Sequence, residues 1–276
     1  MSKTPTHFSL IRAGRRALLA TAAIFLAFVL LAVVVPQVLT SGDPLNTNAA
    51  AAFEPPGIDH PLGTDQVGRD VYTRIIYGAL PSVSVGFTAT VTSAVIGLLL
   101  GIGFAQFSSR ARYSVSRSIE VLMALPEFLI ALFIIAFLGK GPIAVLIALS
   151  LAGVPAYLNV ARNAAVTARV SESVSMAKVL GLSRTRILYR YITPTSVQPV
   201  IGLASLGVGF MILSAAGLSY LGLGVQPPSP EWGLMLAESR EYFERAWWLV
   251  LFPGLAITCT VGALTVLARA LRAALR

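Results

Sequence analysis

The sequence predicts an all-α polytopic membrane protein with about six transmembrane helices. Of the 276 residues, 56% are hydrophobic and 12% charged, and the mean hydropathy is +0.78. Soluble domains carry roughly a quarter charged residues. The deficit is concentrated in long stretches with no charge at all, and a helix spanning lipid needs about 20 largely apolar residues. Too little polar sequence remains to cover that much apolar surface with a hydrated shell.

Charge-free runs locate the spans. The first is Ala17–Pro36, too long for the apolar region of a signal peptide despite Arg12, Arg15 and Arg16 before it, and is read as a retained signal anchor. The second lies within Ile75–Ser109, which exceeds one span and suggests a re-entrant or interfacial lead-in before Pro81. The third runs from about Ser118 to Leu138, interrupted by Glu120 and Glu127. Gly141–Ala161 is the fourth, the fifth lies within Tyr191–Pro230, and Ala246–Ala268 is the sixth. Gly and Pro inside these runs are compatible with membrane helices whose neighbours satisfy the freed backbone groups.

Orientation follows from Lys and Arg. With the N-terminus inside, the inner segments hold Lys3, Arg12, Arg15, Arg16, Arg110, Arg112, Arg117, Arg162, Arg169, Lys178, Arg184, Arg186, Arg190, Arg269, Arg272 and Arg276. The outer segments hold Arg69, Arg74, Lys140, Arg240 and Arg245, so 16 of 21 basic residues are inside and both termini are expected in the cytoplasm. Basic residues beside apolar spans also explain the net charge of +9 without nucleic acid. The lone Cys259, in a charge-free run, allows neither a disulfide framework nor a zinc site. Trp247 and Trp248 fit an interfacial aromatic belt at the outer end of the last span.

The inner loop 162–194 is the longest on its side, with six basic residues and one acid, Glu172. Val170, Val174 and Ala177 recur at helical spacing, Gly181 stops the helix, and Ser183 is a plausible N-cap for a second turn through Ile187 and Leu188 to Tyr191. Pro194 then introduces the next span. Such a bent, rigid segment suits docking into a groove on a soluble partner; the alternative is a basic amphipathic segment lying on anionic lipid.

Two outer stretches and one buried acid complete the set of notable residues. Asp65 and Asp70 sit around Gly63 and Gly68, where a metal or substrate site competes with a tight turn capping a helix near Val71; the turn is favoured. The stretch with Gln226, Pro227, Pro228 and Trp232 reads either as a stiff outer loop or as a docking surface for an extracytoplasmic solute-binding protein. Glu127, beside Pro126, is an acid well inside a span and so a functional candidate by default, lining a translocation path or pairing with a partner subunit. Gly97, Gly101 and Gly103 have the look of small-residue helix packing.

Three motifs resemble one family. VSMAKVLGLSRTRILYRYITP, Val174–Pro194, is similar to the EAA loop of ABC importer permeases: Ala177, Gly181 and Pro194 match strictly, whereas Ser175, Met176, Tyr191 and Thr193 stand where the family has Glu, Ala, Ile and Leu. HPLGTDQVGRDVYTRIIYGA, His60–Ala79, resembles the LGTD-x-x-GRD signature of the DppC/OppC type of dipeptide, oligopeptide and nickel permeases. GLSYLGLGVQPPSPEWGLML, residues 217–236, and FPGLAI, Phe252–Ile257, resemble further segments of that family, so the likeness runs from about His60 to Arg272. The chain departs from it at the end, reading TVLARALRAALR where a Gly-Asp is frequent.

The resemblance implies a type I ABC importer transmembrane domain. In numbers, the expected organisation is a cytoplasmic tail 1–16, a first helix 17–38, an extracytoplasmic segment and lead-in 39–80, a five-helix permease domain 81–270 with the coupling loop 162–194, and a cytoplasmic end 271–276. It further implies a bacterial inner-membrane protein paired with a homologous permease, two ATPase subunits and a solute-binding protein. The coupling loop would comprise Val174, Ser175, Met176, Ala177, Gly181, Leu182, Ser183, Arg184, Arg186 and Pro194. No GxxxxGK[ST] phosphate loop occurs, so ATP and Mg would belong to the ATPase subunits and this chain would hold no cofactor, metal or catalytic residue. The cargo could be dipeptides, oligopeptides, nickel, glutathione, opines or haem. An ion-coupled secondary transporter is the competing class, but such proteins show internal repeats and midplane acids, whereas here five of six spans hold no acid and no repeat is seen.

Overall fold

The computed structural model describes residues 7–107 and 109–274. Lys3, Arg276 and the side chains of Arg12, Arg15 and Arg112, counted above as inner charges, lie outside the described residues. The chain is almost wholly helical: α1 His7–Val34, α2 Val71–Ala105, α3 Ser109–Met123, α4 Glu127–Leu138, α5 Pro142–Arg169, α6 Glu172–Val179, α7 Arg184–Ile187, a π-helical turn Leu188–Ile192, α8 Thr193–Tyr220, α9 Trp232–Glu238 and α10 Trp248–Ala274. Among the described residues, five helices are long and apolar enough to cross a membrane, and six if the bent pair Ser116–Met123 and Glu127–Leu138 is one span.

Three boundaries differ from expectation. The lead-in before Pro81 is simply helix: α2 starts at Val71 and passes through the proline. Pro155, Pro199 and Pro253 are likewise inside helices, as membrane helices tolerate when neighbouring groups compensate. Second, Pro194 stands in the first turn of α8 as expected, but no break precedes it, because Arg184–Tyr220 is continuous. A straight α-helix would drive its ring into the carbonyl four residues back; the wider π-turn just before it, closed by Thr193 N–H on the Leu188 carbonyl, makes room. Third, the expected third span is bent by 89°. Residues preceding a proline avoid the helical region, and Pro126 restarts the chain in an extended conformation (ψ 128°) ahead of α4. With 12 residues, α4 rises only about 18 Å.

Two compact units make up the chain. One comprises residues up to Ser84 together with Ser219–Ala274. Within it α1 packs along α10, and α9 packs on α10. The outer segment is anchored by two tryptophans. Trp248 Nε1 donates to the Thr64 carbonyl (3.1 Å), and Trp232 Nε1 donates to the Ile75 carbonyl (2.9 Å). Trp248 is 5% exposed, so only its neighbour Trp247, half exposed, can serve an aromatic belt.

The other unit is Val85–Leu218. Here α4 and α5 form an antiparallel hairpin turned by Gly139 and Gly141. Ser93 Oγ on α2 donates to the Ser150 carbonyl on α5 at 2.7 Å. The small-residue expectation holds at two of three glycines. A Cβ at Gly97 would meet Leu158 N at 2.7 Å, and one at Gly101 would meet Leu158 O at 2.7 Å, whereas Gly103 faces open space.

Candidate functional site

The inner loop begins where α5 ends at Arg169, whose guanidinium donates to the Ala105 carbonyl. Val170 sits in the connecting turn and is 79% exposed, so it does not belong to the helical stripe. Ser171 caps α6, its Oγ accepting from Val174 N–H at 3.4 Å. At the other end, Leu182 N–H donates to the Ala177 carbonyl (3.1 Å) and Gly181 N–H to the Lys178 carbonyl (3.0 Å), which is the Schellman closure. That closure needs a left-handed residue, and Gly181 supplies it with φ +75°. Ser183 then caps α7, accepting from Arg186 N–H at 3.3 Å. The expected helix, glycine corner and second helix are all present.

The two faces of α6 differ sharply. Val174 and Ala177 are buried with Ile102, Ala105, Ala165, Ala168, Ile187 and Ile192, and Leu182 packs against that cluster. The opposite face leaves Met176 61%, Val179 82% and Leu180 74% exposed. Ser175 is exposed too, and its hydroxyl turns inward to the Ser171 carbonyl (3.1 Å). Lys178, Arg184 and Arg186 flank the apolar patch in the open, while Pro194 lies exposed in α8 beyond the corner. Burying one face against the spans fixes the segment; the other presents an apolar patch rimmed with positive charge.

The outer signature LGTDQVGRD builds a turn, as favoured from the sequence, but also something the sequence reading missed. Asp65 Oδ1 accepts from Val67 N–H (3.0 Å) and Arg69 N–H (2.9 Å), and Asp70 Oδ2 accepts from Thr73 N–H (2.8 Å), capping α2. Asp70 Oδ1 also meets His60 Nδ1 at 2.9 Å. Arg69 and Arg74, counted among the basic residues of the outer segments, are buried, at 4% and 1% exposure. Arg69 Nε reaches Asp65 Oδ2 at 2.5 Å, and Arg74 Nη2 reaches Glu238 Oε2 at 3.0 Å, with cross contacts of 3.6 and 3.7 Å completing a two-plus, two-minus cluster. Arg74 Nη1 also donates to the Pro228 carbonyl at 3.2 Å. Among the described residues no group of three or more His, Cys, Asp or Glu side chains could hold a metal.

The QPPSPEW stretch divides. Gln226, Pro227 and Pro228 are exposed. Trp232 is not: it is 2% exposed with its indole N–H used, so it is a strut rather than a docking residue. Beside it, Glu231 caps α9, accepting from Gly233 N–H (2.9 Å), Leu234 N–H (2.8 Å) and Ser82 Oγ (3.2 Å). Burial pushes its carboxyl above the ordinary value, against those hydrogen bonds. The only sequence sign of this cap is an acid just before an apolar helix.

Comparison with known proteins names the assembly these features serve. Residues 73–276 match the family described as "Binding-protein-dependent transport system inner membrane component". The chain belongs to that family. Similar curated proteins include the dipeptide transport system permease protein DppC of Alkalihalophilus pseudofirmus, 38% identical over 91% of this chain and 83% of that one. The di/tripeptide permease DppC of Pseudomonas aeruginosa is 42% identical over 78% and 71%. A putative peptide permease of Brucella suis is 36% identical over 99% and 92%. The fold resembles that of the MetNI methionine ABC transporter in an inward-facing conformation, at TM-score 0.61 and 14% identity over 74% of this chain and 96% of that one. The permease is therefore a multi-pass inner-membrane transport subunit of type I ABC importer fold, rather than an ion-coupled carrier.

Proposed function

We propose that this permease takes up dipeptides or short oligopeptides delivered by an extracytoplasmic solute-binding protein, and pairs with a second homologous permease and two ATPase subunits. ATP and Mg belong to those ATPase subunits; this chain carries no catalytic residue, and both its termini lie in the cytoplasm. Its working part is the loop Val174–Pro194. The observation that carries the reading is α6: anchored by Val174 and Ala177, it offers Met176, Val179 and Leu180 as an apolar patch beside Lys178, Arg184 and Arg186. A lipid-facing segment would turn such side chains towards the spans' own apolar level, whereas a coupling helix turns them away from the cluster that anchors it. Closure of the ATPase pair then tilts the loop, and the spans it is packed on switch access. Gln226, Pro227 and Pro228 contribute to the surface that receives the binding protein.

The test is Gly181→Pro. A proline ring fixes φ near −65° and removes the N–H that closes the corner, whereas Gly181 has φ +75° and donates to Lys178. The variant should insert normally yet lose substrate-stimulated ATPase activity in the complete transporter. Unchanged transport would sink the coupling role.

A further inference from the structure

Among the described residues, three buried polar side-chain atoms have no hydrogen-bond partner: Glu127 Oε1 on the first turn of α4, Arg162 Nε on α5 and Thr260 Oγ1 on α10. Thr260 lines a groove of about 190 Å³ within the unit formed by residues up to Ser84 and Ser219–Ala274. Each long helix beside the groove gives it one face. On α1 the lining is Phe25, Phe28, Val29 and Ala32, and on α10 it is Phe252, Leu255, Ala256 and Cys259. Both sets keep the i, i+3, i+4, i+7 spacing of a single helix stripe. α2 adds Ile76 and Ala79, and α9 adds Trp232. Val29, Ala32, Ile76, Ala79 and Trp232 are buried, whereas Phe28, Leu255 and Cys259 stand exposed along the rim. The groove is thus open at the flank of α1 and α10, two helices long and apolar enough to cross a membrane.

What fills this groove is apolar and thin. Water is excluded, because an ordered water takes two to four polar partners. The Trp232 indole N–H is committed to the Ile75 carbonyl, and Thr260 Oγ1 has no partner among the described residues. A second helix is excluded by size: at about 10–12 Å across with its side chains, it could cover the groove but not enter it. An apolar cavity of about 150 Å³ already takes up benzene, so this one has room for a stretch of hydrocarbon chain. From Phe252 to Thr260 the lining descends about 12 Å at 1.5 Å per residue, close to the ~15 Å half-thickness of the hydrocarbon layer. The shallow end carries an interfacial marker, since the half-exposed Trp247 meets Phe252 with ring centroids 6.1 Å apart.

We propose that the groove binds one acyl chain of a phospholipid, drawn from the leaflet on the side of segment 37–74. The glycerol end lies at the level of Trp247 and the chain runs down to Thr260. Bound there, the lipid ties α1, which precedes the family-matched residues 73–276, to α2 and α10 within them. Of the five candidate spans α1 is the least buried, so the chain adds packing contacts where the protein itself supplies fewest.

The experiment is native mass spectrometry of the complete transporter, extracted in mild detergent and washed. The parent should retain one phospholipid more than Cys259→Phe or Ala256→Phe, whose added rings occupy the groove. Cys259 is exposed at the rim, so that variant leaves the packing of the spans intact even if Ala256→Phe disturbs it. Leu251→Phe, exposed on α10 but outside the lining, should retain as many lipids as the parent. Adding palmitoyl-oleoyl phosphatidylethanolamine back to the stripped complex should raise the melting temperature of the parent and of Leu251→Phe, and raise it less in the two groove variants. Equal lipid counts in the parent and Cys259→Phe would overturn the site, as would equal melting shifts or a parent that keeps no lipid. Cross-linking of Cys259 to another transporter subunit by a short bifunctional reagent would assign the groove to a subunit contact and overturn it as well.

Discussion

Asp65 shows how one side chain can hold a long signature together. Its Oδ1 organises the turn through two backbone N–H groups, and its Oδ2 neutralises Arg69 while lying 3.7 Å from Arg74. Asp65→Ala should therefore do more than remove a surface acid. It strands two buried guanidinium groups with only Glu238 between them, a change of the kind that costs about 3–5 kcal/mol. The expected readout is a lowered melting temperature in detergent and reduced recovery from membranes; an unaltered melt would show that water reaches the cluster. Glu231 yields a pH effect of defined sign. Burial holds its folded-state pKa above the ordinary 4.5. Below about that value both folded and unfolded carboxyls are protonated and there is no difference between them. As pH rises, the unfolded carboxyl ionises first, the folded state binds more protons, and stability falls until the folded group has titrated too. Glu231→Gln should flatten that fall across the same window, at a cost of about 1 kcal/mol for a weakened cap. A melting curve series against pH for both proteins checks it.

At the scale of elements, α6 and its corner explain why Gly181→Pro separates coupling from insertion. The spans on either side, α5 and α8, make contacts that do not involve residue 181: Gly97 and Gly101 lie against α5, Ser93 meets the Ser150 carbonyl, and Val200 of α8 packs with Ala94, Tyr157 and Ala161. A Cβ at Gly181 would meet open space, so substitution there is felt through backbone conformation alone. The corner was legible in the sequence because every part of it is local: a serine cap, a buried stripe at Val174 and Ala177, a glycine, and a second serine cap. The proline-bearing elements were less legible. A proline in water ends a helix, yet α2 runs on through Pro81 and helix continues unbroken into Pro194; inside a bilayer the unbroken helix is the cheaper arrangement, with a π-turn leading into Pro194. At Pro126 the same residue type does break the chain, by 89°.

For the whole molecule, the distribution of basic residues carries a prediction of its own. Single cysteines placed at exposed positions beside Lys178 and beside Pro228, in a chain with Cys259 replaced, should label from opposite sides of the membrane, the first from the cytoplasm only. Labelling of both from one side would invert or break the proposed topology. Membrane class and span number were open to reading from the sequence, because the hydrophobic effect and the exclusion of charge from lipid act on composition over windows of about 20 residues, independently of which neighbours a residue later meets; the family was legible only through the resemblance of its motifs. The pairings that decide the candidate sites were not. Arg74 and Glu238 are 164 positions apart, and Trp248 finds Thr64 across 184. Such contacts gather charges of the outer segments into a buried cluster and turn a supposed docking tryptophan into a strut.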